Sequence, residues 1–590
     1  MRPGPARVIL TLLALAAGTA MARTVPLHGV VEGYYGRPWS GEARRDVIRF
    51  LGARGMNAFV YGPKNDPFHR DRWREPYPDD ALADLRATAA VARRARVRFV
   101  YALSPGLDVC YACRDDVRAV TRKLAQLARG AGIRRFALFF DDAPETLTRP
   151  EDIARYGGRD ATALARAHAD LVNRVDRWLG RRRLPALAFM VPTAYAGTAC
   201  EPYHAALVNG LRRRLPIAWT GLGVFSRTLT AAQARDRQAC LGGHPVVLWD
   251  NFPVNDTVLS NTVHLGPLVG RDAELPGALG GYLLNPMTQA HASLVGLGTA
   301  AAYLAEPQRY DPEAAWRDVL AALDPSGSLA VLAEQTRGSP LDDPDYGDAP
   351  ALDARVAAVE RTWVSPEWQP PVEALEAELR RQADAATRFT DRLGDTPLGR
   401  ELAPWVDELA RHAAEGLDAV RLLRAMKPAI AALSVDAGAV TGRAVRPDGP
   451  LAASLSAAFT APRPQPDLAS YVRCLGEITG ADIRFCPELG LNVHGKGLYL
   501  VPFSLTEVRL ITGKNVHHRL IAFVAAQYRD WAARQPATAP TLSLTADGRP
   551  VAVDGAGVFT VTNAPGLRLA VTTSAGDATA VVVVSSPPLD

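Results

Sequence analysis

The chain has 590 residues, a formal net charge of +5, 48% hydrophobic and 22% charged residues. That length favours several domains, and the balance is that of a globular chain, which excludes a disordered or low-complexity protein. Basic residues are scattered, as in Arg93-Arg94-Ala95-Arg96, with acidic residues nearby and no interleaved aromatics, so nothing in the composition points to nucleic acid.

The N-terminus carries Arg2 and Arg7, an apolar run from Val8 to Ala17, and the small-x-small sequence Ala20-Met21-Ala22. This is the pattern of a secretory signal peptide over residues 1–22, too short to span a bilayer. It predicts export to the periplasm or the medium without stable membrane insertion. Six cysteines, an even number, suit disulfides in an exported chain. Cys110 with Cys113, Cys200 with Cys240 and Cys474 with Cys486 are one workable set of pairs. A redox CxxC competes for the first, and no second ligand pair stands at a zinc-binding spacing.

From Pro26 to about Pro307, apolar strand-like runs alternate with helical ones. HGVVEGYY, MNAFVYGP, VRFVYALSP, IRRFALFFDD, LAFMVPT, IAWTG, PVVLWDN and GGYLLNP are the strands, with helical or loop segments between. Ser40 is placed to cap the first helix and Gly55 to end it. About eight βα units in this length predict a TIM (β/α)8 barrel over residues 26–307. The strand bodies are apolar throughout, as a sheet covered on both faces requires. No glycine-rich phosphate loop opens the first helix, which argues against a nucleotide-binding open sheet.

Residues 308–434 read as a Pro- and Asp-rich connector (SPLDDPDYGDAP) and then a helical bundle. Residues 435–534 are mixed α/β, with a helix at NVHHRLIAFVAAQYRDW, and 535–590 read as a small β-rich module.

Barrel enzymes assemble their sites at the C-terminal ends of the strands. Those ends here are polar and aromatic: Gly33-Tyr34-Tyr35, Lys64-Asn65-Asp66, Ser104-Pro105, Asp141-Asp142, Pro192-Thr193 with Tyr195, Trp219-Thr220, Trp249-Asp250-Asn251 with Asn255-Asp256, and Asn285-Pro286. One such end is explained by helix capping; eight make the inventory of a carbohydrate pocket. Asp141 and Asp142 follow five apolar residues. Burial and like charge predict a raised pKa for at least one, as a general acid needs. Adjacent carboxylates do not easily flank a glycosidic bond as nucleophile and acid. They suit substrate-assisted cleavage, in which the sugar's 2-acetamido oxygen attacks, one Asp orients the amide and the other moves the proton.

GVVEGYYGRPW, YGPKND, YALSPGLD, FALFFDDA, PTAYAGTAC, WTG, WDNFPVND and LLNP stand in that order. The set resembles glycoside hydrolase family 84, the O-GlcNAcase and bacterial β-N-acetylglucosaminidase family once also labelled hyaluronidases. The resemblance spans residues 27 to about 305, and the helical segment after it is similar to the domain that follows the barrel in bacterial members. It implies a retaining β-N-acetylglucosaminidase acting on GlcNAc-bearing glycans or glycoproteins, with no cofactor and no metal. By this resemblance Asp141 polarises the acetamido N–H and Asp142 is the general acid and base. Gly33 offers a backbone carbonyl, and Lys64 binds a sugar hydroxyl. Tyr195 lines the acetamide pocket, Trp249 forms its wall, and Asn251 meets the acetamido carbonyl or a backbone group. Asp256 takes the 4- and 6-hydroxyls and Asn285 the 3-hydroxyl. Tyr34 stands where Phe is common, and His291 where an acidic residue is frequent. A non-catalytic glycan-binding barrel and an endo-acting hyaluronidase-like enzyme are the competing readings.

Overall fold

Eight short apolar runs pair in parallel, each with the next and the last with the first, so the sheet closes. They are β1 (Leu27–Glu32), β2 (Ala58–Tyr61), β3 (Arg98–Leu103), β4 (Arg135–Phe139), β5 (Met190–Val191), β6 (Ile217–Trp219), β7 (Val246–Asp250) and β8 (Gly281–Leu284). The register that closes the barrel sets Leu27 against Gly281 and Val30 against Leu284. This computed structural model describes residues 26–256, 262–339, 349–435, 439–460, 485–486, 491–492, 514–534, 541–564, 566–573 and 580–584. The signal-peptide stretch and most of the Pro- and Asp-rich connector fall outside them.

Alternate strand residues serve two cores. In β4, Phe136 and Leu138 pack outward under the helices, while Ala137 and Phe139 fill the barrel interior with Val31, Val60 and Leu283. Both sets are shut off from water, which is why the strands read as unbroken apolar runs.

The barrel helices are α1 (Gly41–Ala53), α2 (Asp79–Arg94), α3 (Arg114–Gly130), α4 (Pro150–Tyr156), α5 (Ala161–Arg181), α6 (Pro202–Gly210), α7 (Ala231–Cys240), α8 (Leu275–Ala278) and α9 (Leu294–Ala305). Ser40 caps α1 by accepting from the Ala43 N–H at 3.1 Å, and Gly55 follows its end with φ +78°. Cys110–Cys113 and Cys200–Cys240 are disulfides; Cys474 lies outside the described residues. No helix among the described residues is long and apolar enough to cross a membrane.

Helices α10 (Pro312–Leu323), α11 (Ser328–Gln335), α12 (Pro350–Thr362), α13 (Gln369–Leu393) and α14 (Pro397–Ala425) follow. Trp316, Leu332, Phe389, Leu402 and Trp405 join α10 and α11 to the long α13–α14 pair. The bundle is also tied to the barrel rim by charge: Glu401 on α14 accepts from the His291 and Ala292 N–H groups, and the His291 ring lies between Glu401 and Asp46.

Next come β9 (Ala429–Val435), β10 (Ala439–Val445), α15 (Gly449–Thr460), β11 (Phe485–Cys486), β12 (Leu491–Asn492) and α16 (Lys514–Arg534). β13 (Leu542–Ala546), β14 (Arg549–Val551), β15 (Val558–Thr562), β16 (Arg568–Thr573) and β17 (Ala580–Val583) follow. These last strands do not stand apart. β15 pairs antiparallel with β10, and Phe559, Leu569 and Val571 share a core with Val356, Leu375 and Leu423 of the bundle.

Candidate active site

The C-terminal ends of the strands surround one cavity of about 900 Å³. Gly33, Lys64, Asp141, Asp142, Tyr195, Trp249, Asn251, Asp256 and Asn285, the residues marked from the sequence, all line it.

The first wall is made by the end of β1. Glu32 is fully buried, takes both N–H arms of Arg44 and accepts from the Trp39 N–H at 3.1 Å, which bends the chain at the strand's end. Tyr34 and Trp39 turn inward and are buried; the Trp39 indole donates to the Met287 and Thr288 carbonyls on the far side of the closure. Tyr35, between them, faces the cavity. Gly33 donates to Asn285 Oδ1 at 3.3 Å, and the Trp249 indole occupies the space where a β-carbon would stand.

β7 and β8 supply a second wall, a closed polar chain. Asn251 Oδ1 accepts from the Trp249 indole at 2.9 Å and from Asn285 Nδ2 at 3.0 Å, and Asn251 Nδ2 donates to the Val224 carbonyl at 2.7 Å. The Asn251 amide is therefore engaged with the protein's own backbone and orients both neighbours. Behind it the buried pair Arg271–Asp250 and the Tyr282 hydroxyl fix β7 against β8. Asp256 accepts from the Tyr35 N–H at 2.7 Å. Burial raises its carboxyl pKa to about 6, against the lowering effects of that hydrogen bond and of Lys64.

The carboxylate pair leaves β4. Asp141 is buried and ion-paired with Lys64, itself 3% exposed. Its other oxygen, Oδ1, is buried and has no hydrogen-bond partner among the described residues. Such an atom costs free energy unless something donates to it. Asp142 adopts φ +51° and lines the same cavity, with its side chain more exposed than that of Asp141. Asp142 Oδ2 accepts from the Tyr35 hydroxyl at 2.7 Å and Oδ1 from the Tyr195 hydroxyl at 2.9 Å, with Lys64 Nζ at 3.6 Å.

At Asp142 this setting opposes the rise that burial alone would give. Burial does push its pKa up. Lys64, the Tyr35 hydroxyl, Arg70 and the Tyr195 hydroxyl together outweigh burial and hold it at about 2. Like-charge reasoning from the sequence could not see the Lys64 ammonium, which the loop after β2 brings to the pair.

Residues missed from sequence also line the cavity: Arg70, Tyr35 as a cavity-facing group, and the apolar Val224 and Phe225 at the mouth, which are 46% and 38% exposed. Arg70 sits in an irregular loop after β2, where no periodicity marks it. The only signal for the mouth residues was an apolar pair inside a Gly-rich loop.

The family model described as β-N-acetylglucosaminidase (NAGidase) matches residues 28–334. The chain is 33% identical over 296 residues to the Protein O-GlcNAcase of Rattus norvegicus, a stretch covering 49% of this chain and 31% of the rat protein. The chain thus spans about a third of the length of the curated relatives it matches. Among solved structures, a mutant of the Thermobaculum terrenum O-GlcNAc hydrolase superposes with a TM-score of 0.69 at 24% identity, over 86% of this chain and 96% of that one, a likeness of fold. The structure of CpGH84B gives 0.58 at 25% identity, over 67% and 68%.

Proposed function

The chain belongs to the β-N-acetylglucosaminidase family, glycoside hydrolase family 84, and from that premise we propose that it removes terminal β-linked N-acetylglucosamine from glycoconjugates. Cleavage retains configuration and uses the sugar's own acetamido group as nucleophile.

One observation carries this reading: a buried, unpartnered oxygen on Asp141 beside a carboxylate whose two oxygens are both held by tyrosines. An acetamido N–H is the donor that Asp141 Oδ1 needs. Asp141 and Asp142 both lie within reach of the one Lys64 ammonium, hence on one wall. An enzymic nucleophile and an acid have to approach the anomeric carbon and the leaving oxygen from different sides, about 5 Å or more apart. Two carboxylates on one wall favour an attacking oxygen supplied by the substrate.

The acetamido oxygen bonds to the anomeric carbon as the glycosidic bond breaks, and Asp142 gives its proton to the leaving oxygen. Asp141 accepts the amide N–H and offsets the positive charge that develops on the oxazoline ring. Asp142, now a carboxylate, takes a proton from water as that water bonds to the anomeric carbon and the ring reopens. Tyr195 has a part in the proton supply. When the sugar binds, its hydroxyl leaves Asp142 Oδ1 for the acetamido oxygen. That release and the loss of water raise the proton affinity of Asp142 from its low resting value. Lys64, Asp256 and Asn285 hold ring hydroxyls, and Trp249 backs the acetamide methyl.

We propose further that the protein works after export. The signal-like N-terminus and two disulfides in the barrel support an oxidising compartment.

The test is substrate chemistry. An aryl β-N-acetylglucosaminide should turn over, and the matching aryl β-glucoside, with a plain hydroxyl at carbon 2, should not. Turnover of both at comparable rates would refute substrate assistance.

A further inference from the structure

We propose that Arg70 is a positioning residue that fixes the general acid and base, Asp142, at two points: the Tyr35 hydroxyl and the Asp142 main-chain carbonyl. The inference rests on the function proposed above and adds to it a residue outside the set that carries the family resemblance.

Arg70 is 2% exposed, at the back of the cavity. One arm of its guanidinium donates to the Tyr35 hydroxyl at 3.0 Å, and the other to the Asp142 carbonyl at 2.8 Å. The group also lies 5.6 Å from the Tyr35 ring centroid. Both contacts end on Asp142. The first runs through Tyr35, whose hydroxyl then donates to Asp142 Oδ2 at 2.7 Å. The second holds the peptide after Asp142.

That peptide needs holding. At φ +51° Asp142 is in the left-handed region, which disfavours residues with a side chain. A residue kept there requires a surround that over-determines it. The Arg70 bond to its carbonyl is one such constraint. A planar fork satisfies two acceptors in fixed directions, which a lysine's single ammonium cannot reproduce.

The division of work between the two carboxylate oxygens follows. Tyr195 leaves Oδ1, which then carries the proton. Tyr35, steadied by Arg70, stays on Oδ2 and keeps the carboxyl plane aimed at the leaving oxygen. Arg70 also contributes positive charge. The groups that face Asp142 are Lys64, Arg70, the carboxylates of Asp141 and Asp256, and the hydroxyls of Tyr35 and Tyr195. Removing one of the two cations leaves a carboxylate that protonates more readily.

The experiment uses Arg70→Gln and Arg70→Lys in the full chain. Each is assayed on an aryl β-N-acetylglucosaminide with an acidic phenol and on an alkyl one that needs protonation. For Arg70→Gln, kcat on the alkyl glycoside should fall about 10- to 100-fold and on the aryl glycoside less than about 3-fold, with KM little changed. The basic limb of its kcat/KM profile should move to higher pH. Arg70→Lys keeps the charge, so its limb should stay in place while the selective loss on the alkyl glycoside remains. Equal losses on the two substrates, or an unmoved limb in Arg70→Gln, would overturn the inference. If Arg70→Gln fails to fold by circular dichroism, wild-type alkyl turnover in Arg70→Lys would overturn it as well. Failure of the wild-type chain to cleave either glycoside would instead sink the proposed function.

Discussion

Trp249 and Gly33 form one wall: the edge of the indole fills the volume that a side chain at residue 33 would need. The ring cannot simply step aside, because its N–H is committed to Asn251, which in turn holds Asn285, which accepts from Gly33. Gly33→Ala should therefore break the wall at several joints. We expect kcat/KM to fall at least about 100-fold and stability to drop by about 1–3 kcal/mol. Steady-state kinetics and denaturant melts on the same preparation would check both. A fully active variant would show that the wall is not rigid.

Asp142→Asn separates proton transfer from the rest of catalysis. Loss should be about 10²- to 10⁴-fold on alkyl glycosides and far smaller on aryl glycosides with acidic phenols, which leave unaided. Comparable losses on both would remove Asp142 from the acid role.

The two outlying carboxyls give opposite pH signs. Asp142, held at about 2, lies below its ordinary 3.8. Its stabilising contribution is present above pH 3.8 and is lost as pH falls through about 2. Asp256, raised to about 6, lies above that ordinary value. The folded protein favours its protonated form, so stability falls as pH rises from about 4 through 6. Asp256→Asn should melt higher than wild type at pH 8, and the difference should vanish below pH 4. Its KM should rise, and the acid limb of kcat/KM near pH 6 should disappear. A limb near 6 that persists in the variant belongs to another group.

His291 joins barrel and bundle between Glu401 and Asp46. Its hydrogen bond with Glu401 raises its pKa above 6.5, against partial burial. A raised His contributes fully below the unfolded value and loses that contribution as pH rises through the folded one. His291→Gln should thus lower the melting temperature at pH 5.5, and the deficit should shrink toward pH 9. A constant deficit would mean that packing, not charge, makes the joint.

The barrel and its rim were legible because each strand is apolar along its length and then turns polar at the end that meets solvent. Asp141 and Asp142 stood out against the five apolar residues before them. Three things were not legible. The roles of neighbouring aromatics turn on the bend at Glu32, which buries Tyr34 and points Tyr35 into the cavity. The proton affinity of Asp142 depends on Lys64 and Arg70, far off in the chain. The pairing of β15 with β10 joins segments more than a hundred residues apart, and neither carries a mark of its partner.

That pairing has a consequence for how the chain is made. Every strand of the barrel lies within its first 284 residues, so the barrel can close while the rest is still being synthesised. The bundle cannot finish so early. Part of its apolar core consists of Phe559, Leu569 and Val571, which are made more than a hundred residues after α14. Until they arrive, Leu375 and Leu423 face a gap, and β10 presents an open edge. A product cut short before β15 would therefore carry a finished catalytic barrel attached to an unfinished, adhesive partner. β15 and β16 act as the seal that closes the bundle long after its helices are made.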